Sequence, residues 1–315
     1  RTLYRLLVSH KHLMDWVPAA DIQKGRRDHL AGRIAALLVL PALLRTFWLP
    51  AAIGLALLFL IGIGWANDLS DAPAEREDTL SARQIGALCA LSRETWAFFE
   101  AAVPLDGCGL PPDTVQIDPP VGAAMRTSPT NIGLYMTSCV AAREMGFIRT
   151  DEMLDRLRTS TETLEKLEKW HGQLYNWYDL NRLAPMHPRY VSAVDSGNLA
   201  ACLLLCANAV RDAFLAQRMR DLCADMELER LYDADRKLFF IGADAENGRV
   251  SASHYDLFAS ESRILSYTAI MLGKAPVRHW QALARPTASI GGECAALSWS
   301  GTMFEYLMPD LFLNA

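Results

Sequence analysis

Three kinds of functional site are missing from this sequence. The body of the chain has no sustained basic run with interleaved aromatic residues, and its formal net charge is −5, which argues against nucleic acid as a partner. The seven cysteines form no CxxC pair and no cysteine–histidine cluster with zinc spacing, so we predict no metal site, and nothing suggests an organic cofactor. Because the cysteines are odd in number and widely spread, we interpret them as reduced core residues and not as a disulfide framework.

A nucleophilic triad is missing as well. Neither His171 nor His254 has a serine or cysteine at a recognisable nucleophile elbow, which argues against hydrolysis of the Ser-His-Asp type. What the chain does have is a hydrophobic fraction of 51% in 315 residues. That is enough for a substantial core, in one large domain or two ordinary ones.

The first 66 residues have the composition of a membrane-associated region. Residues 1–33 are basic and amphipathic, which is typical of a cytoplasmic membrane-surface segment or of an ordinary solvated helix face. Residues 34–66 are apolar and carry Arg45 as their only charge. As one helix they would be about 50 Å long, whereas the hydrocarbon core of a membrane is roughly 30 Å thick. With Pro41 and Pro50 as breaks, we predict a transmembrane hairpin; a single tilted span, or less favourably a buried core hairpin, is the alternative.

A domain boundary follows this apolar block. Residues 67–80 are acidic and contain Pro73, so we interpret them as a linker between the hairpin and a domain at 81–315. The sequence begins at Arg1, without an initiator methionine or a signal peptide. We therefore expect it to be an excised piece of a longer protein.

From residue 81 onward the apolar spacing is helical and strand signals are sparse, which predicts an all-α domain. Helices in series, joined alternately by short turns and long loops, suggest antiparallel helix pairs wrapped into a toroid. The predicted helical segments are 81–103, 131–146, 150–170, 197–231, 258–273 and 277–283, and the long loops are 104–128, 171–196, 232–257 and 284–301.

The loop at residues 171–199 concentrates aromatic residues and aspartates. Flat aromatic faces beside carboxylates suit a sugar site, because pyranose C–H faces stack on rings while carboxylates hold hydroxyls. The alternative is a core-packing loop with buried aromatics and helix-capping aspartates, and the residues alone leave both open. The residues concerned are Tyr175, Trp177, Tyr178, Asp179, Tyr190 and Asp195.

Three further clusters fall on or beside the long loops. In the first, Thr127, Ser128 and Asn131 lie at a predicted helix start, where they could hold sugar hydroxyls. The alternative is that Thr130 or Asn131 simply caps the helix. In the second, Glu261 would share a helix face with Phe258 at i, i+3, with Tyr255 and Asp256 shortly before it and Arg263 after it.

Desolvation by aromatic walls would raise the pKa of Glu261 and suit it to general acid catalysis, with Asp256 and Arg263 placed to tune it by charge. The alternative for this second cluster is a surface ion pair. The third cluster places Trp299 and Glu305 around a glycine turn, where they would line a site or where Glu305 would complement a helix N-terminus.

Five motifs, in this order, resemble the central glycoamylase-like domain of bacterial cyclic β-1,2-glucan synthases. The apolar block and residues 93–100 are similar to the same family, so the resemblance covers nearly the whole chain. The motifs read RTSPTNIGLY at 126–135, GQLYNWYD at 172–179, PRYVSAVDSGNL at 188–199, YDLFASESR at 255–263 and SWSGTMFEYLMP at 298–309.

The resemblance implies an (α/α)6 toroid within a large bacterial inner-membrane enzyme. The predicted hairpin would leave both of its flanks, and so this domain, on the cytoplasmic side. In that family an N-terminal glycosyltransferase elongates β-1,2-glucan from UDP-glucose, the middle domain cyclises it by retaining transglycosylation, and a C-terminal phosphorylase-like part trims the chain. Membrane lipid and those other parts of the polypeptide are then the implied partners, besides the glucan itself.

The resemblance also implies roles for individual residues. Glu261 maps to a catalytic carboxylate, which we assign as the acid/base, whereas the second carboxylate of the family lies downstream of the last motif and so beyond Ala315. We therefore expect the toroid to be incomplete. Tyr175, Trp177 and Tyr178 become sugar platforms, and the implied hydroxyl ligands or loop braces are Asp179, Arg189, Asp195 and Asn198. A β-1,2-glucan hydrolase and a non-catalytic glucan-binding module are the remaining alternatives.

Overall fold

The computed structural model describes residues 80–291 and 293–313. The predicted basic segment at 1–33 and transmembrane hairpin at 34–66 lie outside this range, as does all but the last residue of the 67–80 linker. Within the described range, no helix is both long enough and apolar enough to cross a membrane. The chain divides into two compact units with a boundary after Ile85. Apart from the first residues of a helix that begins at Ala82, the fold below is that of the unit from Gly86 onward.

The described residues form eight α-helices and fifteen short β-strands, so the all-α prediction is only partly right. Most predicted helices are present, with three corrections: residues 197–231 hold two helices, the helix predicted at 150–170 ends at Lys166, and the helix predicted at 258–273 begins at Arg263. The helices are α1 Ala82–Ala102, α2 Pro129–Glu144, α3 Thr150–Lys166, α4 Ala193–Ala209, α5 Ala213–Ala224, α6 Arg263–Met271, α7 Arg278–Ala282 and α8 Met303–Leu307.

Local capping explains where these helices begin. Ser128 accepts a hydrogen bond from the Asn131 N–H, and Pro129 occupies the first helical position of α2, so neither Thr130 nor Asn131 is the cap. Ser192 caps α4 in the same way, so this helix begins at Ala193, four residues earlier than the predicted start at 197. Asp212 caps α5 and thereby divides the long apolar run into two helices.

The strands lie in the predicted long loops or beside them and are two to four residues long. Such short strands show no alternating pattern in the sequence, which is why the strand signals looked sparse. They are β1 Val115–Gln116, β2 Gly122–Ala123, β3 Arg126–Thr127, β4 Lys169–Trp170, β5 Gln173–Leu174, β6 Tyr178–Asp179, β7 Ala184–Pro185, β8 Tyr190–Ser192, β9 Tyr232–Asp233, β10 Leu238–Phe240, β11 Gly242–Asp244, β12 Arg249–Val250, β13 His254–Tyr255, β14 Thr287–Ile290 and β15 Glu293–Ala296.

Antiparallel pairing of these strands links loops that are distant in the sequence. β6 lies between β3 and β7, β11 lies between β8 and β12, and β10 lies between β9 and β13. Arg126 is opposite Asp179, Tyr190 is opposite Asp244, and Phe239 is opposite Tyr255. The segments just before α2, α4 and α6 are therefore each held by a small sheet.

The helices pack as consecutive pairs. The first members of three pairs, α2, α4 and α6, form an inner row with α4 in the middle, and α3, α5 and α7 each contact the helix before them. Most of α4 is buried, because neighbouring elements cover it on several sides. This is the helix-pair arrangement of a toroid, and α4 is the centre of its core.

Two glycines allow the inner helices to approach closely. A Cβ on Gly133 of α2 would lie 2.9 Å from the Cβ and Sγ of Cys202, and a Cβ on Gly197 of α4 would lie 2.5 Å from the Leu265 Cα of α6. Because the second clash involves backbone, a side chain there would force α4 and α6 apart.

We expect Gly197→Ala to reduce the free energy of unfolding by about 3 kcal/mol, since overpacking against backbone strains the core. Gly86→Ala is the matched control, because a Cβ there meets nothing within 4 Å and alanine favours a helix by about 0.5–1 kcal/mol over glycine. Urea-induced unfolding followed by circular dichroism measures both. Equal stability of Gly197→Ala and the wild type would contradict the close-packing account.

Candidate active site

A group of polar residues meets where the inner helices begin. Asp195, in the first turn of α4, accepts a hydrogen bond at Oδ1 from Thr130 Oγ1 of α2 at 2.6 Å. The Asn176 amide, in the orientation that satisfies both its atoms, donates to Asp195 Oδ2 at 3.1 Å. Buried Asn198 donates to Thr130 Oγ1 at 3.1 Å. The Asp195 carboxylate is therefore held from both sides, and it does not serve as the α4 cap.

Glu261 lies in the turn before α6, close to Asp195. Burial, followed by the charges of Asp195 and Glu305, raises the pKa of Glu261 to about 7. Tyr255 belongs to the same group, because burial and the charges of Glu261 and Asp195 raise the pKa of its phenol. A glutamate in this state holds a proton near neutral pH, which is the property required of a general acid.

The expected tuning of Glu261 by its sequence neighbours is wrong. Asp256 is exposed, and the Arg263 guanidinium points elsewhere, donating to the Tyr306 carbonyl at 3.1 Å and lying 3.5 Å from Asp310. Glu261 also precedes the helix, so the predicted i, i+3 relation to Phe258 does not apply. The charges that act on Glu261 come instead from α4 and α8.

Glu305 is also buried but behaves in the opposite way. It forms a capping box with Thr302 at the start of α8, and its carboxylate accepts hydrogen bonds from Ser298, Ser300 and Thr302. Burial alone would raise the pKa of Glu305, but these donors outweigh it and lower that pKa to about 2. Glu305 is consequently a fixed negative charge facing Glu261.

Three rings of the aromatic loop, those of Tyr175, Trp177 and Tyr178, separate into one accessible ring and two buried ones. Trp177 is half-buried; the Arg126 guanidinium lies over its ring at 4.3 Å, and its indole N–H donates to the Asn176 amide oxygen at 3.0 Å. Tyr178 is fully buried and donates to the Glu168 carbonyl at 2.6 Å. Tyr175 is 5% exposed, and its ring packs 6.2 Å from that of Tyr178.

Three of the other predicted residues have partners outside the carboxylate group. Arg189 pairs with Glu168 at 2.6 Å, Asp179 accepts from the backbone N–H groups of the following turn, and Asn131 donates to Asp113 at 3.1 Å. Thr127 is fully buried, and its Oγ1 has no partner among the described residues. Trp299 is 54% exposed.

Hydrogen bonds thus connect Asp195 with Asn198 through Thr130 and with Trp177 through Asn176. Glu261, Tyr255 and Glu305 join this group through electrostatic interactions. The structure does not bring Tyr175, Tyr178, Asp179, Arg189, Asp256 or Trp299 into hydrogen-bond contact with them. Sequence reasoning missed Thr130 and Asn176 as members of the site. Both stand inside recognised motifs, but their roles depend on a partner on another element, which no local pattern reveals.

Solved structures with the same fold define the class of this domain. An endo-β-1,2-glucanase from Chitinophaga pinensis, solved with sophorotriose and glucose, matches 71% of this chain and 57% of its own with a TM-score of 0.56 and 17% identity. A glucoamylase-like protein from Bacteroides fragilis NCTC 9343 matches 74% of this chain and 60% of its own with a TM-score of 0.55 and 17% identity. The fold is therefore a glycoamylase-like helical toroid with added short strands.

The sequence relative is more specific. The chain is similar over its whole length to the cyclic β-(1,2)-glucan synthase NdvB of Rhizobium meliloti (strain 1021), with 28% identity over 455 residues that cover 16% of NdvB. No protein-family model matches the chain. The resemblance to cyclic β-1,2-glucan synthases is thus confirmed, while the chain spans only about a sixth of that relative.

Because of Glu305, the stability of the folded protein should change with pH in the acidic range. Because the pKa of Glu305 falls to about 2 from an ordinary value of 4.5, its contribution is present above pH 4.5 and is lost as the pH falls towards 2. We expect the melting temperature of Glu305→Gln to lie below that of the wild type at pH 6, with the gap narrowing towards pH 2. Calorimetry at several pH values measures this, with Glu94→Gln on the exposed face of α1 as control. A difference in melting temperature between Glu305→Gln and the wild type that does not change with pH would contradict the lowered pKa of Glu305.

Proposed function

We propose that this chain contains a β-1,2-glucan-processing domain of a cyclic β-1,2-glucan synthase, and that the domain cyclises linear β-1,2-glucan. The similarity to NdvB along the whole chain supports the substrate class. The observation that carries the catalytic proposal is the raised pKa of Glu261 beside two other carboxylates. Glycosidases of known mechanism use such a protonated carboxyl beside an ionised one.

In this proposal Glu261 is the acid/base of a retaining transglycosylation. Its proton passes to the glycosidic oxygen as the C–O bond breaks, and a second carboxylate forms a covalent bond to the anomeric carbon. Glu261, now ionised, then takes the proton from a hydroxyl at the non-reducing end of the same glucan, and that oxygen displaces the carboxylate. The ring closes and Glu261 regains its proton. By resemblance, the carboxylate nucleophile lies downstream of residues 298–309.

The remaining site residues divide into ligands and supports. We assign sugar stacking to Trp177 and Tyr255 and hydroxyl binding to Asp195, since these lie in or beside the carboxylate group. Asn198 is fully buried and supports Asp195 through Thr130. The other predicted residues act as supports that fix the loops: Tyr175, Tyr178, Asp179, Arg189, Thr127 and Asn131. Asp256 and Trp299 are exposed, and we propose them as contacts of more distant sugar units.

A hydrolase is the second candidate. The fold match to an endo-β-1,2-glucanase favours it, because the same acid would serve a reaction in which water replaces the sugar hydroxyl as acceptor. We further propose that the domain works at the bacterial inner membrane and on its cytoplasmic side. Its partners there would be membrane lipid and the glycosyltransferase and phosphorylase-like parts of the same polypeptide.

In the domain extended past Ala315, so that it includes the second carboxylate, we expect Glu261→Gln to abolish conversion of linear β-1,2-glucan while glucan binding is retained. The glutamine amide keeps the shape of the carboxyl group but has no acidic proton. Mass spectrometry distinguishes the outcomes for the wild-type protein: rings are lighter than the matching linear chains by one water, whereas hydrolysis gives shortened linear chains. Glu229→Gln is the control, because Glu229 is exposed and pairs with Lys274. Normal ring formation by Glu261→Gln would exclude the acid/base role.

The rate should also depend on pH with a defined sign. A general acid must be protonated, and the pKa of Glu261 is raised to about 7, so we expect the rate to fall as the pH rises through about 7. The measurement is the initial rate between pH 5 and pH 9 at saturating glucan, after confirming that the protein stays folded. A rate that is constant across pH 7 would show that proton donation by Glu261 does not limit the reaction.

A further inference from the structure

The amide of Asn176 is placed between two elements of the site. Its nitrogen donates to Asp195 Oδ2 at 3.1 Å and its oxygen accepts from Trp177 Nε1 at 3.0 Å. The Asn176 backbone N–H donates to the Tyr190 carbonyl at 2.7 Å, which ties the loop to β8. An amide has one donor and one acceptor end, and here each end is used by a different functional side chain.

The Asp195 carboxylate depends on this contact for its direction. Its other oxygen is held by Thr130 of α2 at 2.6 Å, so Thr130 and Asn176 together leave the carboxylate little freedom to rotate. The groups near this carboxylate are Glu261 in the turn before α6 and Tyr255 of β13; Glu305 of α8 faces Glu261 as well. A change in the orientation of the Asp195 carboxylate therefore changes the electrostatic potential at Glu261.

We propose that Asn176 is a positioning residue that couples the ring of Trp177 to the carboxylate of Asp195, and through that carboxylate to Glu261. A sugar unit that stacks on Trp177 would meet a ring whose orientation is fixed by the same amide that fixes Asp195. Substrate placement and the protonation of Glu261 are then set together. This inference rests on the role proposed for Glu261, but its test needs no turnover.

The test is a titration of the Glu261 carboxyl group in the full chain between pH 4 and pH 9, followed by carbon-13 NMR. The resonance of this carboxyl carbon is assigned by its absence from the spectrum of Glu261→Gln. We expect Asp195→Asn and Asn176→Ala each to lower the midpoint by about half a pH unit or more, because the facing charge is removed or turned away. If Asn176 acts through Asp195, the double variant titrates like Asp195→Asn alone. Additive shifts, or a wild-type midpoint in Asn176→Ala, would overturn the proposal.

A second signal reports the other end of the amide. The indole N–H resonance of Trp177 should move in Asn176→Ala, since its acceptor is lost, and should stay in place in Asn181→Ala. Asn181 is an exposed residue of the same loop whose backbone N–H donates to Asp179, which makes it a matched control. An unmoved indole resonance in Asn176→Ala would also overturn the proposal. If Asn176→Ala does not fold, the Glu261 midpoint and the Trp177 indole resonance are measured in Asn176→Ser, which is a smaller change of the side chain.

Rate measurements separate this inference from the function on which it rests. If the protein converts glucan, the alkaline limb of the rate–pH profile of Asn176→Ala should move to lower pH by the same amount as the NMR midpoint. If the domain extended past Ala315 converts no glucan, the proposed function fails, whereas the two NMR signals still decide whether Asn176 couples Trp177 to Asp195.

Discussion

The close approach of three helices is the constraint on which the candidate site depends. Gly133 lets α2 approach α4, and Gly197 lets α4 approach α6, since a Cβ at either position would meet atoms at less than 3 Å. The helices that meet in this way bring their first turns together. Thr130, Asp195 and Glu261 interact only because those turns converge, although the three residues are far apart along the chain.

The electrostatics of the site follow from what surrounds each carboxyl group. Glu305 is buried but receives several hydrogen bonds, so its charged form is stabilised and its pKa falls to about 2. Glu261 is desolvated beside Asp195 and Glu305, so its charged form is disfavoured and its pKa rises to about 7. Two glutamates of one site thereby differ in protonation at neutral pH. A reaction that needs both a proton donor and a fixed negative charge has both groups available.

Much of the helical part of the fold was predictable, because each helix of the inner row and its partner carries the apolar spacing of a packed helix. The strands were not, since pairs of two to four residues have no readable period and depend on distant partners such as β8 and β11. Among the site residues, Glu261 could be predicted from its motif. The burial of Tyr175 and Tyr178 could not, because a loop shows its aromatic residues but not which way each ring faces.

The sequence by itself determined the helix pairs, the lack of zinc and triad motifs, and the ordered motifs that mark a resemblance to cyclic β-1,2-glucan synthases. These are local properties, carried by residue spacing, capping residues and short sequence motifs. Only the tertiary structure decided which charges act on Glu261, that Asn176 joins Trp177 to Asp195, and that Asp256 and Arg263 do not tune the acid. Electrostatic and hydrogen-bond interactions act through space over a few ångströms, so they are set by packing and not by position in the sequence.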